Sequence, residues 1–400
     1  MVGAGPTGIA AALALVHVGA KVVLAGPPPP KVQTLRPETR TAALLTSSVD
    51  FLKHLGVWER VAPHAAPLKA VRIIDASQSM LRSPDITFEA RELGLDAFGY
   101  NVANTVLSDV LYAHAQETVS RLATGTVDGI ATGDACARIS LENGSQIEAR
   151  LVAGADGRQS LCREAAEIGT DHWLYGQLAI ASSFRHTIAH DGISTELHRQ
   201  GGSVTSVPTP DPLTSSVIWV GGTAEIEALM ALNETEFATK LQDRIDDTLG
   251  AVSDVGPRAS FPVAGLTAKP LAARRTALIG DAGHSLPPIG AQGLNLGLRD
   301  AAALADCVSD ALRHGRDLGG PLVLNSYIRA RQLDVLSRSF GVDLLNRSLL
   351  TGFLPVQAAR GALLAGLNAI APLKRFVMRA GLAPPASLPR LMRPPENLSA

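Results

Sequence analysis

The chain has 400 residues, 46% of them hydrophobic and 18% charged, and its 36 basic and 37 acidic residues leave a net charge of −1. That length exceeds one core and predicts two domains sharing an interface, while the balance of charge excludes a disordered chain and a polyanion partner, so nucleic acid is not expected. Cys136, Cys162 and Cys307 stand far apart without a CxxC pair, which excludes a disulfide framework and a zinc or dithiol site and fits a reducing cytosol.

Residues 1–26 read as a strand end, a glycine turn, an alanine-rich helix, a turn at Gly19 and a second strand at Val22–Leu24, which is a βαβ start. The apolar run from Ile9 is broken by His17, Gly19 and Lys21, too early for a membrane span, and the opening lacks the basic start of a secretory signal. Four prolines at 27–30 begin a loop. Helical spacing then runs through Leu44, Leu45, Val49, Leu52 and Leu55. Residues 68–100 look strand-like, and a helix is expected over about 105–120. Short strands follow, with a hairpin turn at Glu142-Asn143-Gly144. From about 178 to 265 the pattern is sheet-rich with one helix near 234–249, and His186, His190 and His198 fall there as surface or pocket-lining residues without metal-ligand spacing. A strand ending at Ile279 leads to a loop and then to a helix with Leu294, Leu298, Ala301, Ala305, Val308 and Leu312 at three-to-four spacing. The tail is helical.

Three loops carry the chemistry. Gly3, Gly5 and Gly8 form GxGxxG between a strand and a helix, where glycines allow a tight turn and let a pyrophosphate approach the N–H groups of the helix start. With 37 glycines in the chain, about 0.3 such matches arise by accident, so the strand–turn–helix context matters more than the letters. Gly154, Asp156, Gly157, Ser160 and Arg163 form a second loop after the strand Leu151–Ala153, which could equally be a strand-to-helix corner capped by Ser160. The third runs from Gly280 to Asp300 through Asp281, His284, Pro287, Pro288, Gly290, Gln292, Gly293, Leu294, Asn295 and Gly297. So many glycines imply close backbone approach to a ligand; N–H groups entering the helix at Asn295 can face a flavin carbonyl, and Asp281 can accept from ribityl hydroxyls.

In their order and spacing these loops resemble those of the class A FAD-dependent aromatic monooxygenases. The smaller features Arg40–Leu44, Leu55–Trp58, Phe261-Pro262, the Pro208 and Trp219 strands, and Tyr327 and Arg331 are similar to the ubiquinone-biosynthesis hydroxylase (UbiH/UbiF-like) branch. The resemblance implies an α/β fold: a Rossmann-like FAD-binding domain of para-hydroxybenzoate hydroxylase type (1–67, 101–177 and 266–320), interleaved with a sheet-rich substrate domain (68–100 and 178–265), and a C-terminal helical region (321–400). It further implies that Gly3, Gly5 and Gly8 take the FAD pyrophosphate, Arg40 the ribose-phosphate region and Asp281 the ribityl chain. Gly290, Gln292, Gly293, Leu294 and Asn295 would lie against the isoalloxazine, with Pro288 beside it, and Asp156 and Arg163 would serve both FAD and NAD(P)H. In the resembling family NAD(P)H reduces the flavin, O₂ adds to it, and an OH group passes to an electron-rich ring carbon of a phenolic or quinone-precursor substrate. No metal is implied. His284 and Pro288 are the catalytic candidates, His284 being equally readable as a structural hydrogen-bonding residue.

Two departures stand out. Ala25 occupies the position at which an acid holds the adenosine ribose, and only Met1 and Val2 precede the glycines where about five strand residues are usual. These motivate a rival reading, a non-catalytic component of a biosynthetic complex; a second rival is a monooxygenase of a soluble aromatic. Over residues 355–400, Arg360, Lys374, Arg375, Arg379, Arg390 and Arg393 stand against Glu396 alone. With Leu363, Leu364, Leu367, Ile370, Leu373, Phe376, Val377 and Met378 among them, this tail is expected either to contact an anionic membrane surface or to pack on the core. The expected location is cytoplasmic, with peripheral contact at the inner face of the membrane.

Overall fold

Pro6 opens helix α1 (Pro6–His17), where its fixed φ suits a first turn and its missing N–H has no partner to lose. The run Gly8–Leu15 that follows is buried throughout, so α1 lies inside the molecule and its small residues let neighbours approach. The computed structural model describes residues 1–30, 39–75, 85–199, 201–288, 290–350, 366, 370–382 and 388–395.

After α1 come β1 (Val23–Ala25), β2 (Thr41–Leu45), α2 (Thr46–His54), α3 (Trp58–Val61), β3 (Ala65–Pro67), β4 (Ala70–Asp75), β5 (Ile86–Glu89), β6 (Gly99–Ala103) and α4 (Asn104–Thr118). Strands β7 (Arg121–Ala123), β8 (Val127–Thr132), β9 (Ala137–Leu141), β10 (Gln146–Ala149) and β11 (Val152–Gly154) lead through α5 (Leu161–Ala165) to the long β12 (Gly169–His186). Then follow β13 (Ile193–Arg199), β14 (Gly202–Pro208), β15 (Thr214–Gly222), α6 (Thr223–Ala231), α7 (Glu234–Ile245), β16 (Val252–Ser253) and β17 (Ala259–Lys269). The chain continues with β18 (Ala272–Ala273), β19 (Thr276–Leu278), β20 (His284–Ser285), α8 (Gln292–Arg313), α9 (Pro321–Leu350) and α10 (Ala371–Leu382).

Two sheets organise these elements. One is mainly parallel: β7 pairs with β1 and β11 with β19, while Val2 joins the two halves through parallel bridges to Ala25 and Gly154. Helices α1, α4 and α8 pack together with this sheet in the larger core. The other, of nine strands, has the order β20-β17-β12-β15-β14-β13-β4-β5, with β16 also on β12. One side of it carries Ile180, Phe184, Val217 and Trp219 against Ile226, Phe237 and Leu241 of α6 and α7, a second core. The hairpin expected at Glu142–Gly144 is the β9–β10 turn, with Gly144 at φ +79.

Three sequence expectations need correction. Leu44 and Leu45 belong to strand β2, which alternates in burial and pairs antiparallel with β6, and the helix starts only at Thr46. The helix expected near 234–249 is α7, which Asn233 opens with a capping box to Glu236, but it is not the one helix of the sheet-rich region, because α6 precedes it. Of the two expectations for His186, His190 and His198, surface or pocket-lining, the first does not hold: all three are buried, each with hydrogen-bond partners, and His198 pairs with Glu196 at 2.7 Å. Of the tail, Arg360, Leu363, Leu364, Leu367 and Glu396 lie outside the described residues. The domain division at 177 and 265 stays a proposal; β12 and β17 run unbroken across those positions and are shared by both regions.

Candidate active site

The three loops meet at the C-terminal ends of the parallel strands. Val2 N–H donates to Ala153 O (2.9 Å) and Ala155 N–H to Val2 O (2.8 Å), while Ile279 N–H donates to Gly154 O (2.8 Å). These bonds fix the starts of all three loops side by side. The glycines then set how closely the loops pack. A Cβ on Gly3 (φ +102) would stand 2.3 Å from Ala155 O, one on Gly8 2.1 Å from Gly3 O, and one on Gly297 2.9 Å from Thr7 Cγ2. Arg163 completes the junction, donating from Nη1 to Ala282 O (2.9 Å) and from Nη2 to Arg158 O (2.8 Å). Asp156 is engaged in its own loop, accepting from Ser160 Oγ (2.6 Å) and Cys162 N–H (3.0 Å).

In front of this junction the surface is open. A Cβ on Gly5, Gly157 or Gly293 would meet nothing within 4 Å. Gly5 is the N-cap of α1, whose first-turn N–H groups have no intrahelical partner and carry the positive end of the helix dipole. Asp281 is exposed at the same mouth, its carboxylate 3.7 Å from Arg158 Nε. A glycine cradle with free donors for a pyrophosphate and an exposed carboxylate for hydroxyls is the donor set a dinucleotide needs, so the residues fit FAD. Ala25 is buried at the end of β1, its N–H and C=O both spent on Met1 and Gly3, so no acid stands there. Arg40 is exposed between Thr39 and Thr41, which bond Ala181 O (3.1 Å) and Ser216 Oγ (3.0 Å) of the large sheet.

Helix α8 enters the site through Gly290, Ala291, Gln292, Gly293, Leu294 and Asn295. The Asn295 side chain is fully used: Oδ1 accepts from Leu45 N–H (2.9 Å) and Ser48 Oγ (2.7 Å), and Nδ2 donates to the carbonyls of Ala43 (2.7 Å) and Ala291 (2.6 Å). It ties the start of α8 to β2 and α2. Gln292 accepts from Arg338 Nη1 (2.6 Å) of α9 and donates to Gly290 O (2.9 Å). Pro288 is half-buried in the loop that follows β20.

His284 does not face the mouth. It is buried, and its Nε2 donates to Asp300 Oδ2 at 2.5 Å. Asp300 also accepts from Gly280 N–H (2.9 Å) and Arg331 Nε (2.7 Å), so one carboxylate clamps the third loop to α8 and α9. Burial pushes the Asp300 carboxyl upward, but His284 and Arg331 outweigh it and hold it below the usual range. Nothing in the local sequence around Asp300 or Arg331 marks them for this role. Tyr327 and Asp334 belong to the same set, Tyr327 OH donating to Leu278 O (2.6 Å) and Asp334 accepting from Arg299, Arg331 and Arg338. The one signal in sequence was the helical spacing of Tyr327, Arg331 and Asp334.

With this geometry in place, the comparisons are decisive. The family model described as FAD binding domain matches residues 1–333, a span holding all three loops. The chain belongs to this FAD-binding family. Ubiquinone hydroxylase UbiL of Rhodospirillum rubrum is 32% identical to it over 98% of this chain and 92% of that protein. The 3-demethoxyubiquinol 3-hydroxylase of Escherichia coli K12 is 29% identical over 96% of this chain and 97% of its own length. The crystal structure of p-nitrophenol 4-monooxygenase PnpA from Pseudomonas putida superposes with a TM-score of 0.76 at 19% identity, covering 94% of this chain and 95% of that one, and so shares the fold. This member of the family is an FAD-dependent monooxygenase, and its α/β architecture is that of the class.

Proposed function

We propose that this monooxygenase hydroxylates the ring of a polyprenylated phenol on the route to ubiquinone, with NAD(P)H as reductant. The observation that carries the reading is an apolar strip on the large sheet beside the third loop. Ala179 on β12 stands in register with Val220 on β15 and Phe261 on β17, and Tyr175, Ile218 and Val263 extend the strip. The strand carrying Phe261 and Val263 also pairs with β20, whose chain runs on to Pro288. An aromatic ring with an isoprenoid chain needs a dry apolar wall next to the cofactor loops; Ala179, Val220 and Val263 are themselves buried, so the half-buried Tyr175, Ile218 and Phe261 are the residues that would present it. The relatives named above as ubiquinone hydroxylases share the chain over nearly its whole length, which supports the substrate class.

Within the cleft, Gly3, Gly5 and Gly8 would hold the FAD pyrophosphate against the start of α1, Asp281 the ribityl hydroxyls, and Gly290–Asn295 the ring. Bound there, FAD supplies hydride acceptance from NAD(P)H and the activation of O₂. The protein's own part is positioning. Asn295, Gln292 and the Asp300 clamp fix the ring-binding loop, backbone N–H groups at the start of α8 face developing negative charge, and the apolar strip orients the phenol and keeps water out. His284, closed against Asp300, holds the loop rather than exchanging a proton with substrate. Extraction of quinone intermediates from cells lacking the protein tests the reading. Accumulation of a precursor short of one ring hydroxyl is expected, and an unchanged profile would move the assignment to a soluble aromatic substrate.

A membrane contact through α10 is a further part of this proposal. Met378 is buried against Ala90 and Phe98, and Lys374 pairs with Glu92 at 2.7 Å, which docks the helix. Phe376, Val377, Arg375 and Arg379 remain exposed beside Ile370 and Leu373, an arrangement suited to an anionic interface. No helix among the described residues is long and apolar enough to cross a membrane. Flotation with anionic vesicles should retain the protein, and loss of retention in Phe376→Ser, Val377→Ser would locate the contact.

A further inference from the structure

Side chains of the large sheet alternate between two faces, one lying under α6 and α7 and the other carrying the apolar strip. Leu197 of β13 and Val204 of β14 belong to the first face. Glu196, His198, Ser203 and Thr205 therefore lie on the other, the strip's own. Register joins them to it. One row runs Asp75, His198, Ser203, Val220, Ala179 and Phe261 across six neighbouring strands, and the row beside it begins Ile73, Glu196, Thr205 and Ile218. The face is apolar on β17, β12 and β15 and turns polar on β14 and β13.

Asp75, His198, Ser203 and Val220 are buried, whereas Ile73, Glu196, Thr205 and Ile218 are half-buried, so the second row is the more open floor. It sets a carboxylate and a hydroxyl between two isoleucines. His198 Nε2 donates to Glu196 Oε1 at 2.7 Å. Burial pushes the Glu196 carboxyl up, but His198 beside it outweighs burial and holds it below the usual range. An ionised carboxylate in such surroundings costs the fold free energy, and it has room for more than one donor. Helix α9 stands over the same face, with Tyr175 OH donating to Asp343 Oδ1 (2.6 Å) and Asn346 Nδ2 to Gln177 Oε1 (3.3 Å). Strand β13 lies two places from β15, so Glu196 stands about 10 Å along the floor from Ile218, a gap that a substituted ring can bridge.

We propose that Glu196, held in place by His198, is the specificity-determining acceptor for the ring hydroxyl of the phenol, with Thr205 beside it and Ile218 and Phe261 carrying the apolar substituent. The inference rests on the substrate class proposed above and adds the group that tells a phenol from an aromatic of similar size without a hydroxyl. Such an acceptor discriminates because an analogue lacking the donor covers the carboxylate and leaves it short of a hydrogen bond.

The test uses 2-geranylphenol and its O-methyl ether as probes, bound to the FAD-loaded protein and followed through the change in flavin absorbance. The unaltered protein is expected to hold the phenol about tenfold or more tighter than the ether. Glu196→Met, which keeps the length of the side chain and removes the acceptor, should bring that ratio close to one while the ether binds as before. A general loss of stability would weaken both probes alike and leave the ratio where it was. A ratio near one in the unaltered protein, or one unchanged by Glu196→Met, overturns the subsite and leaves the substrate class standing. Failure of the unaltered protein to bind either probe overturns both. Should Glu196→Met not load FAD, Glu196→Gln replaces a charge-assisted bond with a neutral one about half as strong. A ratio lowered severalfold then supports the subsite, and an unchanged ratio overturns it.

Discussion

Gly5 and Gly8 lie three residues apart in one motif and do different work. Gly8 is needed by the protein itself, because a side chain there would strike Gly3 O at 2.1 Å, whereas a Cβ on Gly5 meets only open space. Gly8→Ala should therefore destabilise the apoprotein, by about 1–3 kcal/mol as overpacking does. Gly5→Ala should leave the apoprotein Tm unchanged and weaken FAD, because the methyl group intrudes only where the pyrophosphate approaches. Apoprotein melting together with flavin titration separates the two, and equal FAD affinity in Gly5→Ala would remove that loop from the site. Asp300 is the other residue on which much converges. Asp300→Asn leaves the buried Arg331 with Asp334 as its remaining carboxylate partner and should cost about 1.5–3 kcal/mol in chemical denaturation. The native carboxyl lies below its ordinary range, so its contribution is complete above the unfolded pKa and is lost as pH falls through the acid range below about 4. In Asp300→Asn that part of the acid sensitivity should vanish.

At the scale of elements, the glycine loops were legible because each is a local pattern that follows a strand and precedes a helix. What could not be read was what holds them together. Asn295 bonds Ala43, Leu45 and Ser48, some 250 residues earlier, and Arg163 bonds Ala282, 119 residues later. Such pairs follow from topology and leave no spacing in the chain. Strand β2 was misread for a related reason: Leu44 and Leu45 continue the apolar spacing of α2, and only pairing with β6 makes them a strand. Asn295→Ala should free the start of α8 from β2, lowering FAD affinity more than Tm. An equal loss of both would instead assign Asn295 to general stability. The first strand gives a pH effect of the same direction as Asp300, in a higher pH window. The Met1 amine is at about 6 when folded and 8.0 otherwise, so between those values the unfolded chain binds more protons and stability rises with pH. A protein whose amine at Met1 is free should gain about 2 kcal/mol from pH 6 to pH 8, and acetylation of that amine should flatten the rise.

For the whole molecule, fold class and cofactor were readable because three rare loops recur in order over 300 residues. The apolar strip was not readable, since Ala179, Val220 and Phe261 come from three strands and become neighbours only through register. On the proposed reading, that strip is what would suit the flavin site to a hydrophobic phenol. The central claim is that one cleft holds FAD, takes electrons from NAD(P)H and places a polyprenyl phenol for insertion of one oxygen atom. Turnover of such a phenol by the FAD-loaded protein with NAD(P)H under ¹⁸O₂ tests it most directly. The account expects a product heavier by a single ¹⁸O on the ring, formed only when FAD, reductant and oxygen are all present. Reductant consumed with no labelled product, across phenols with and without a prenyl chain, would contradict it.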